Sequence, residues 1–262
     1  MGENILHSRH PLTVVIIAKN EAERIEACLQ SVSWADEIVV VDSGSSDATC
    51  GIARHYTDKV FDVPWRGFGP QKQAAVDLAN HDWILNIDCD ERVTPELGQE
   101  IRGTLASDTA NVAYSVPRRT FLGDKEISHC GWYPDRTIRL FNRRRARFSD
   151  NIVHERVVAD GQVATCKGHL LHFSFSGIGP VLTKLNHYSD LSARQMFEQG
   201  RRCRLFDLTA RPLFAFFKTY LLRLGFLDGV EGLEISTTTA LLTFAKYVKL
   251  RELHSRQARR DT

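Results

Sequence analysis

Asp88 and Asp90, with Glu91 directly behind them, are the side chains best placed to do chemistry. Two carboxylates two residues apart project to the same side of an extended chain, because side chains alternate along a strand. They end an apolar run, Trp83-Ile84-Leu85-Asn86-Ile87, that reads as a buried strand. A pair of hard oxygen donors at a strand's C-terminal end suits Mg²⁺ or Mn²⁺ carrying a diphosphate. The alternative role is helix capping, since Thr94-Pro95-Glu96 reads as a helix start.

The elements ahead of that acidic stop favour a cleft. Leu12-Thr13-Val14-Val15-Ile16-Ile17-Ala18 is a continuous, largely β-branched run, the mark of a strand covered on both faces. Apolar residues at Ile25, Cys28, Leu29 and Val32 give helical spacing over 23–32. Glu37 to Asp42 is a second buried strand, and Asp47 is placed to cap a helix through Ala53. Lys59 to Val63 is a short third strand. A Gly/Pro-rich loop follows, and then Gln71 to Ala79 reads as helix. Alternating strands and helices predict a parallel sheet with helices on both faces. Ligands of such sheets bind beyond the carboxyl ends of the strands. Lys19-Asn20-Glu21, Asp42 and Asp88-Asp90 all follow strand ends, so they are expected to converge on one cleft.

The remainder changes character. Ala113 to Val116 and Arg136 to Phe141 alternate as half-exposed strands do; Ile152 to Val157 and Leu170 to Phe173 continue the strand pattern. From Gly179 onward helices dominate, with Leu213 to Leu227 and Leu241 to Leu250 rich in Leu and Phe. The expected division is therefore a nucleotide and acceptor domain over 1–178 and an amphipathic helical region over 179–262.

Composition narrows the class. At 262 residues and 43% hydrophobic, the chain can bury one large core, alone or with an appendage. The six cysteines are scattered singly with no metal-binding spacing. The polar N-terminus lacks the apolar core of a signal peptide, which fits a reducing cytoplasm. No apolar stretch reaches the roughly 18 residues of a spanning helix.

Three ordered motifs carry a resemblance. Val15-Ile16-Ile17-Ala18-Lys19-Asn20-Glu21, Val40-Val41-Asp42-Ser43-Gly44-Ser45-Ser46-Asp47 and Asn86-Ile87-Asp88-Cys89-Asp90-Glu91 resemble the family 2 glycosyltransferases of GT-A fold, over about residues 12–160. Gly225-Phe226-Leu227-Asp228-Gly229 and Lys246-Tyr247-Val248-Lys249-Leu250 look like the branch that glucosylates a heptose of the lipopolysaccharide inner core through a β-1,4 linkage. The resemblance implies an α/β, Rossmann-like, mostly parallel central sheet with flanking helices, followed by a C-terminal helical region. It implies a hexose, expected to be glucose, moved from a UDP-sugar with inversion.

Residue roles follow by the same resemblance. Ala18, Asn20 and Glu21 line the nucleoside pocket, and Asp42 accepts from the uracil N–H. Lys72 lies in a segment that contacts the nucleotide and can neutralise phosphate. Asp88 faces the ribose and the metal, and Asp90 binds the metal directly. The bottom-up alternatives are a helix cap for Glu21, a turn residue for Asp42 and a solvated face for Lys72.

Inversion requires a general base at the acceptor hydroxyl. Asp135, Asp150 and Glu155 are candidates, with Glu155 best matched to the family's later acidic motif. His154 precedes Glu155 where many relatives carry an acidic pair, so His154 competes as base, metal ligand or core histidine. His172 is a candidate third metal ligand or a core histidine. Arg136, Arg139, Arg143, Arg144, Arg145 and Arg147 form a basic segment fitted to the carboxylates and phosphates of an inner-core acceptor, or a solvated charge run. Without aromatic interleaving it does not point to nucleic acid. The Leu/Phe-rich C-terminal helices carry Lys218, Arg223, Lys246 and Lys249, which points to attachment at the inner-membrane surface or to helix packing.

Three rivals remain at this level. One is a same-class transferase acting on a polyprenyl, capsule or peptide acceptor. Another is a catalytically silent nucleotide-sugar-binding module. A Rossmann dehydrogenase is disfavoured, because no G-x-G-x-x-G follows the first strand.

Overall fold

The computed structural model describes residues 9–107, 110–149, 155–175 and 177–259. Chain contacts divide it into two compact units. One runs to Arg119 and resumes over Asp135–His172; the other comprises Thr120–Pro134 and the chain from Phe173 onward. The excursion Thr120–Pro134 thus belongs with the C-terminal helices, because Leu122, Ile127 and Cys130 share an apolar cluster with Ile235.

The elements in chain order are β1 (Leu12–Ala18), α1 (Ile25–Ser31), β2 (Glu37–Asp42), α2 (Thr49–Ala53), β3 (Val60–Asp62), α3 (Phe68–Asp77) and β4 (Trp83–Asp88). Then come β5 (Glu91–Val93), α4 (Pro95–Leu105), β6 (Asn111–Leu122), β7 (Lys125–Ile127), β8 (Asp135–Asn142), β9 (Ala146–Phe148), β10 (Val157–Ala159), β11 (Gln162–Thr165) and β12 (Leu170–Phe175). The sheet order is β3-β2-β1-β4-β8-β6-β12-β5. Strands β3, β2, β1 and β4 are mutually parallel, and β8 joins β4 antiparallel. This is the expected α/β class: a Rossmann-like parallel half with flanking helices, extended by a mixed half, with helices at the C-terminal end.

Alternation along β1 builds the core. Leu12, Val14 and Ile16 pack with Ile25 and Leu29 of α1 and Leu97 and Ile101 of α4. Val15 packs on the opposite layer with Val39, Ile84 and the α3 residues Ala75 and Val76. Both faces of β1 are thereby covered, which is why its sequence shows no polar alternation. Helix α3 starts at Phe68, three residues before the expected Gln71. Pro70 does not prevent this, since the first helical turn needs no N–H from it. Thr94 caps α4, its hydroxyl accepting from the Leu97 amide at 3.3 Å with Pro95 in the first turn. The capping role therefore falls to Thr94 and leaves Asp88 and Asp90 to other work.

The second unit holds α5 (Ile178–Glu198), α6 (Leu205–Leu208), α7 (Ala210–Phe217) and α8 (Val230–Ala258). The helix expected over 213–227 is broken. A π turn spans Lys218–Leu222, Leu224 turns left-handed at φ 54°, and a 3₁₀ turn spans Gly225–Asp228. Close backbone approach causes the break: a Cβ on Gly232 would lie 1.8 Å from the Gly225 carbonyl oxygen. The buried Asp228 accepts from the amides of Ser128 at 3.3 Å and His129 at 2.9 Å, so the glycine-rich motif clamps the 128–131 loop. Among the described residues, no helix is long and apolar enough to cross a membrane.

Candidate active site

Strand register brings the expected residues together. Ala18 lies opposite Asp42 across β1–β2, and Ile17 opposite Asp88 across β1–β4. Three strands therefore stop within one residue of each other at one edge of the sheet.

The loops after β1 and β2 are stitched to one another. Asn20 sits at φ 55°; its amide donates to Ser45 Oγ at 2.8 Å, and its Oδ1 accepts from the Ser46 amide at 2.8 Å. The Glu21 amide donates to Thr49 Oγ1 at 2.8 Å, and the Ala22 amide to Asp47 Oδ2 at 3.2 Å. Asp42, buried, accepts from the amides of Gly44 at 2.9 Å and Ser45 at 2.7 Å and from Ser45 Oγ at 2.5 Å. This is the turn-forming role open to Asp42 from sequence. A carboxylate has about four lone-pair sites, so one on Oδ1 remains for a ligand donor. Gln71, fully buried, donates to Ser43 Oγ at 3.0 Å and to the Val63 carbonyl at 2.9 Å, fixing the turn from below. Burial raises the Glu21 carboxyl above its ordinary range; Arg24 opposes this, and Asp90 and Asp47 add to it.

The acidic stop is built around buried cations. Lys72, on α3 and 5% exposed, places Nζ 2.9 Å from Asp88 Oδ1 and 3.1 Å from Glu155 Oε1. Arg139, on β8 and buried, donates Nη2 to Asp88 Oδ2 at 2.7 Å and to Glu91 Oε1 at 2.5 Å, and Nη1 to Asn86 Oδ1 at 3.0 Å. Glu91, fully buried, also accepts from the Asp88 amide at 3.0 Å and from Arg118 at 3.2 Å. Burial opposes charge on Asp88, but Arg139 and then Lys72 outweigh it and hold the carboxyl far below the usual range. The same pairing, led by Asp88, raises Arg139 against its own burial cost.

Asp90 has a different partner. Its Oδ2 lies 3.5 Å from His172 Nε2, and β12 sets His172 opposite Glu91. Burial opposes the Asp90 charge, yet the hydrogen bond and charge of His172 keep its carboxyl below the ordinary range. Among the described residues no three His, Cys, Asp or Glu side chains form a metal-ligating group. A carboxylate beside an imidazole nevertheless fits Mg²⁺ or Mn²⁺, ions that keep several waters and take phosphate oxygens from a substrate.

The base candidates separate. Glu155 is in the cluster, tied to Lys72. Asp135 is held by Arg118 through Nε at 3.0 Å and through Nη2. Asp150 and His154 lie outside the described residues.

The basic segment also divides. Besides Arg139, Arg143 donates to the carbonyls of Val76 at 3.2 Å and Ala79 at 2.5 Å, and Arg144 pairs with Asp82 at 2.8 Å. Arg136 and Arg147 are exposed. Sequence reading missed Asn86, Arg118 and Gln71 as site-building residues, and placed Glu91 behind the acidic pair without giving it a role of its own. Asn86 carried a signal: a lone amide inside a strand covered on both faces needs a buried partner.

Comparison with known proteins places this geometry. The family model described as Glycosyl transferase family 2 matches residues 13–160. A relative from Rhizobium meliloti (strain 1021), the lipopolysaccharide core biosynthesis glycosyltransferase LpsC, is 33% identical over 95% of each chain. An uncharacterized glycosyltransferase from Rickettsia felis is 33% identical over 92% of this chain and 89% of its own. Among solved structures, glucosyl-3-phosphoglycerate synthase from Mycobacterium tuberculosis, in complex with Mg²⁺ and uridine-diphosphate, is 26% identical with a TM-score of 0.36. That likeness covers 43% of this chain and spans 44% of the solved one.

Proposed function

The chain belongs to glycosyl transferase family 2 and is a glycosyltransferase, and from that premise we propose that it moves a hexose, glucose first among candidates, from a UDP-sugar to a heptose of the lipopolysaccharide inner core, with inversion. The observation that supports the acceptor class is the 33% identity, end to end, to the lipopolysaccharide core enzyme. The donor half of the reading rests on Ala18, Asp42 and Asp88 ending adjacent strands in register.

In this reading Ala18, Asn20, Glu21 and Asp42 hold the nucleoside, Asp42 through its remaining acceptor site. Asp90 and His172 hold a divalent cation, with Asp88 close behind them. The cation, when bound, offsets charge on the departing diphosphate. Lys72 turns from the carboxylates to the diphosphate as negative charge grows on the departing UDP. Glu155, released from Lys72, accepts the proton of the acceptor hydroxyl as that oxygen attacks the anomeric carbon from the opposite face.

The acceptor lies at a bilayer, so we further read the enzyme as peripheral to the cytoplasmic face of the inner membrane. Leu205, Phe206, Leu213, Phe214 and Phe217 are all exposed on α6 and α7, the kind of apolar surface that interfacial helices bury.

A donor panel assayed with purified truncated lipopolysaccharide, with and without EDTA, tests the reading. Transfer from UDP-glucose to heptose that EDTA abolishes is expected. Transfer only to a polyprenyl, capsule or peptide acceptor would replace the acceptor. Glu155→Gln should bind UDP-sugar normally and lose transfer; normal transfer would reassign the base.

A further inference from the structure

A cavity of about 520 Å³ opens in the second unit where the α5–α6 loop meets the C-terminal end of α8. Arg202, Arg251 and His254 line it with Ser255 and Gln257, and among the described residues no acidic side chain does. Arg202 and Arg251 are exposed. Among the described residues neither guanidinium is paired with a carboxylate. His254 is fixed: its Nε2 lies 2.8 Å from the Arg201 carbonyl, and its ring packs on Phe197 at 4.7 Å. A carbonyl only accepts, so that nitrogen carries the hydrogen and Nδ1 faces away from this contact.

The excess of positive charge extends along the same helix. Burial lowers the Lys246 ammonium below its ordinary range, and Arg211 and Arg201 push it in the same direction. Asp207 answers Arg211 at 2.5 Å. Arg202 and Arg251, without a carboxylate partner among the described residues, carry a repulsion that an anion would relieve. Two guanidinium forks match phosphate oxygens bidentately, which lysines would not.

The chain that follows the cavity lining in sequence decides the source of the phosphate. Leu205 and Phe206, 77% and 62% exposed, come directly after the Arg202–Arg204 stretch. Leu213, Phe214 and Phe217 follow on α7. A phosphate joined to an apolar body is an anionic phospholipid. Resting on the membrane-surface reading above, we propose that the Arg202–Arg251–His254 cavity binds the phosphate headgroup of an anionic lipid while the exposed Leu and Phe side chains of α6 and α7 enter the acyl boundary.

Co-sedimentation of the full chain with phosphatidylcholine vesicles, with and without phosphatidylglycerol, tests this. Binding is expected only when phosphatidylglycerol is present. The double variant R202Q/R251Q should bind about 30-fold more weakly, the loss of two basic residues at a charged surface. An unchanged circular dichroism spectrum and melting temperature would show that the variant is folded. Undiminished binding by the variant overturns the cavity's role, as does equal binding to both vesicle types; each leaves membrane attachment standing. Inorganic phosphate binding to the full chain in solution that R202Q/R251Q abolishes while vesicle binding stays undiminished gives the cavity a soluble occupant and overturns the lipid. Failure of the wild-type chain to bind either vesicle removes the membrane reading itself.

Discussion

The two units treat charge differently. In the first, the charges of the acidic stop are answered: Asp88 by Lys72 and Arg139, Glu91 by Arg139 and Arg118, Asp90 by His172. In the second, Arg202 and Arg251 face a cavity that, among the described residues, no carboxylate lines, and the Leu and Phe side chains of α6 and α7 stand in solvent. The contrast is one of preorganisation. A site that must hold a small, highly charged ligand fixes its dipoles and charges beforehand, so that little reorganisation remains at the moment of reaction. A surface that meets a fluid partner gains little from such fixation and retains unanswered groups instead.

The largest test of that contrast removes a cation from the compensated side. Arg139→Met leaves the buried Glu91 and the half-buried Asp88 without their shared partner, and should cost about 3–5 kcal/mol in urea unfolding, the usual cost of breaking a buried pair. A loss below about 1 kcal/mol would mean that Arg118 and Lys72 suffice and that the network is looser than its geometry.

Asp90→Ala comes next, with an expected fall in turnover of at least ~100-fold, the scale of losing a major charge-stabilising group, and little change in unfolding. Wild-type turnover would remove Asp90 from the chemistry and sever the compensated cluster from function.

The smallest effect belongs to the other unit. Phe214→Ser should move the unfolding free energy by no more than about 0.5 kcal/mol, as surface substitutions do. A cost of 2 kcal/mol or more, roughly that of emptying a core position, would show Phe214 covered in solution and erase the contrast there.

The parallel half and its acidic ends were legible in the sequence because each strand announces itself twice. An unbroken apolar run marks a strand covered on both faces, and its abrupt polar end marks the edge where ligands bind. Asp42 was legible at its strand end, and its turn-forming bonds to Gly44 and Ser45 follow from the Ser-Gly-Ser turn beside it. Arg139 was legible only as one arginine among six. Its burial depends on the antiparallel pairing of β8 with β4, a contact between segments about fifty residues apart that no local pattern encodes. The break after Leu222 was illegible for the same reason: the Leu and Phe spacing is helical throughout, and only the approach of Gly232 to Gly225 forces the chain to turn.

Strand β1 acts as a ruler for the whole first unit. It pairs with β2 on one side and β4 on the other, so its residue count fixes where Asp42 and Asp88 stand relative to Ala18. The same count decides which side chains enter which apolar layer. Losing a single residue from its middle would exchange the two layers and move both carboxylates out of step at once. Drift at the acidic edge is therefore policed by folding: a chain that misplaces its acids also fails to close its core.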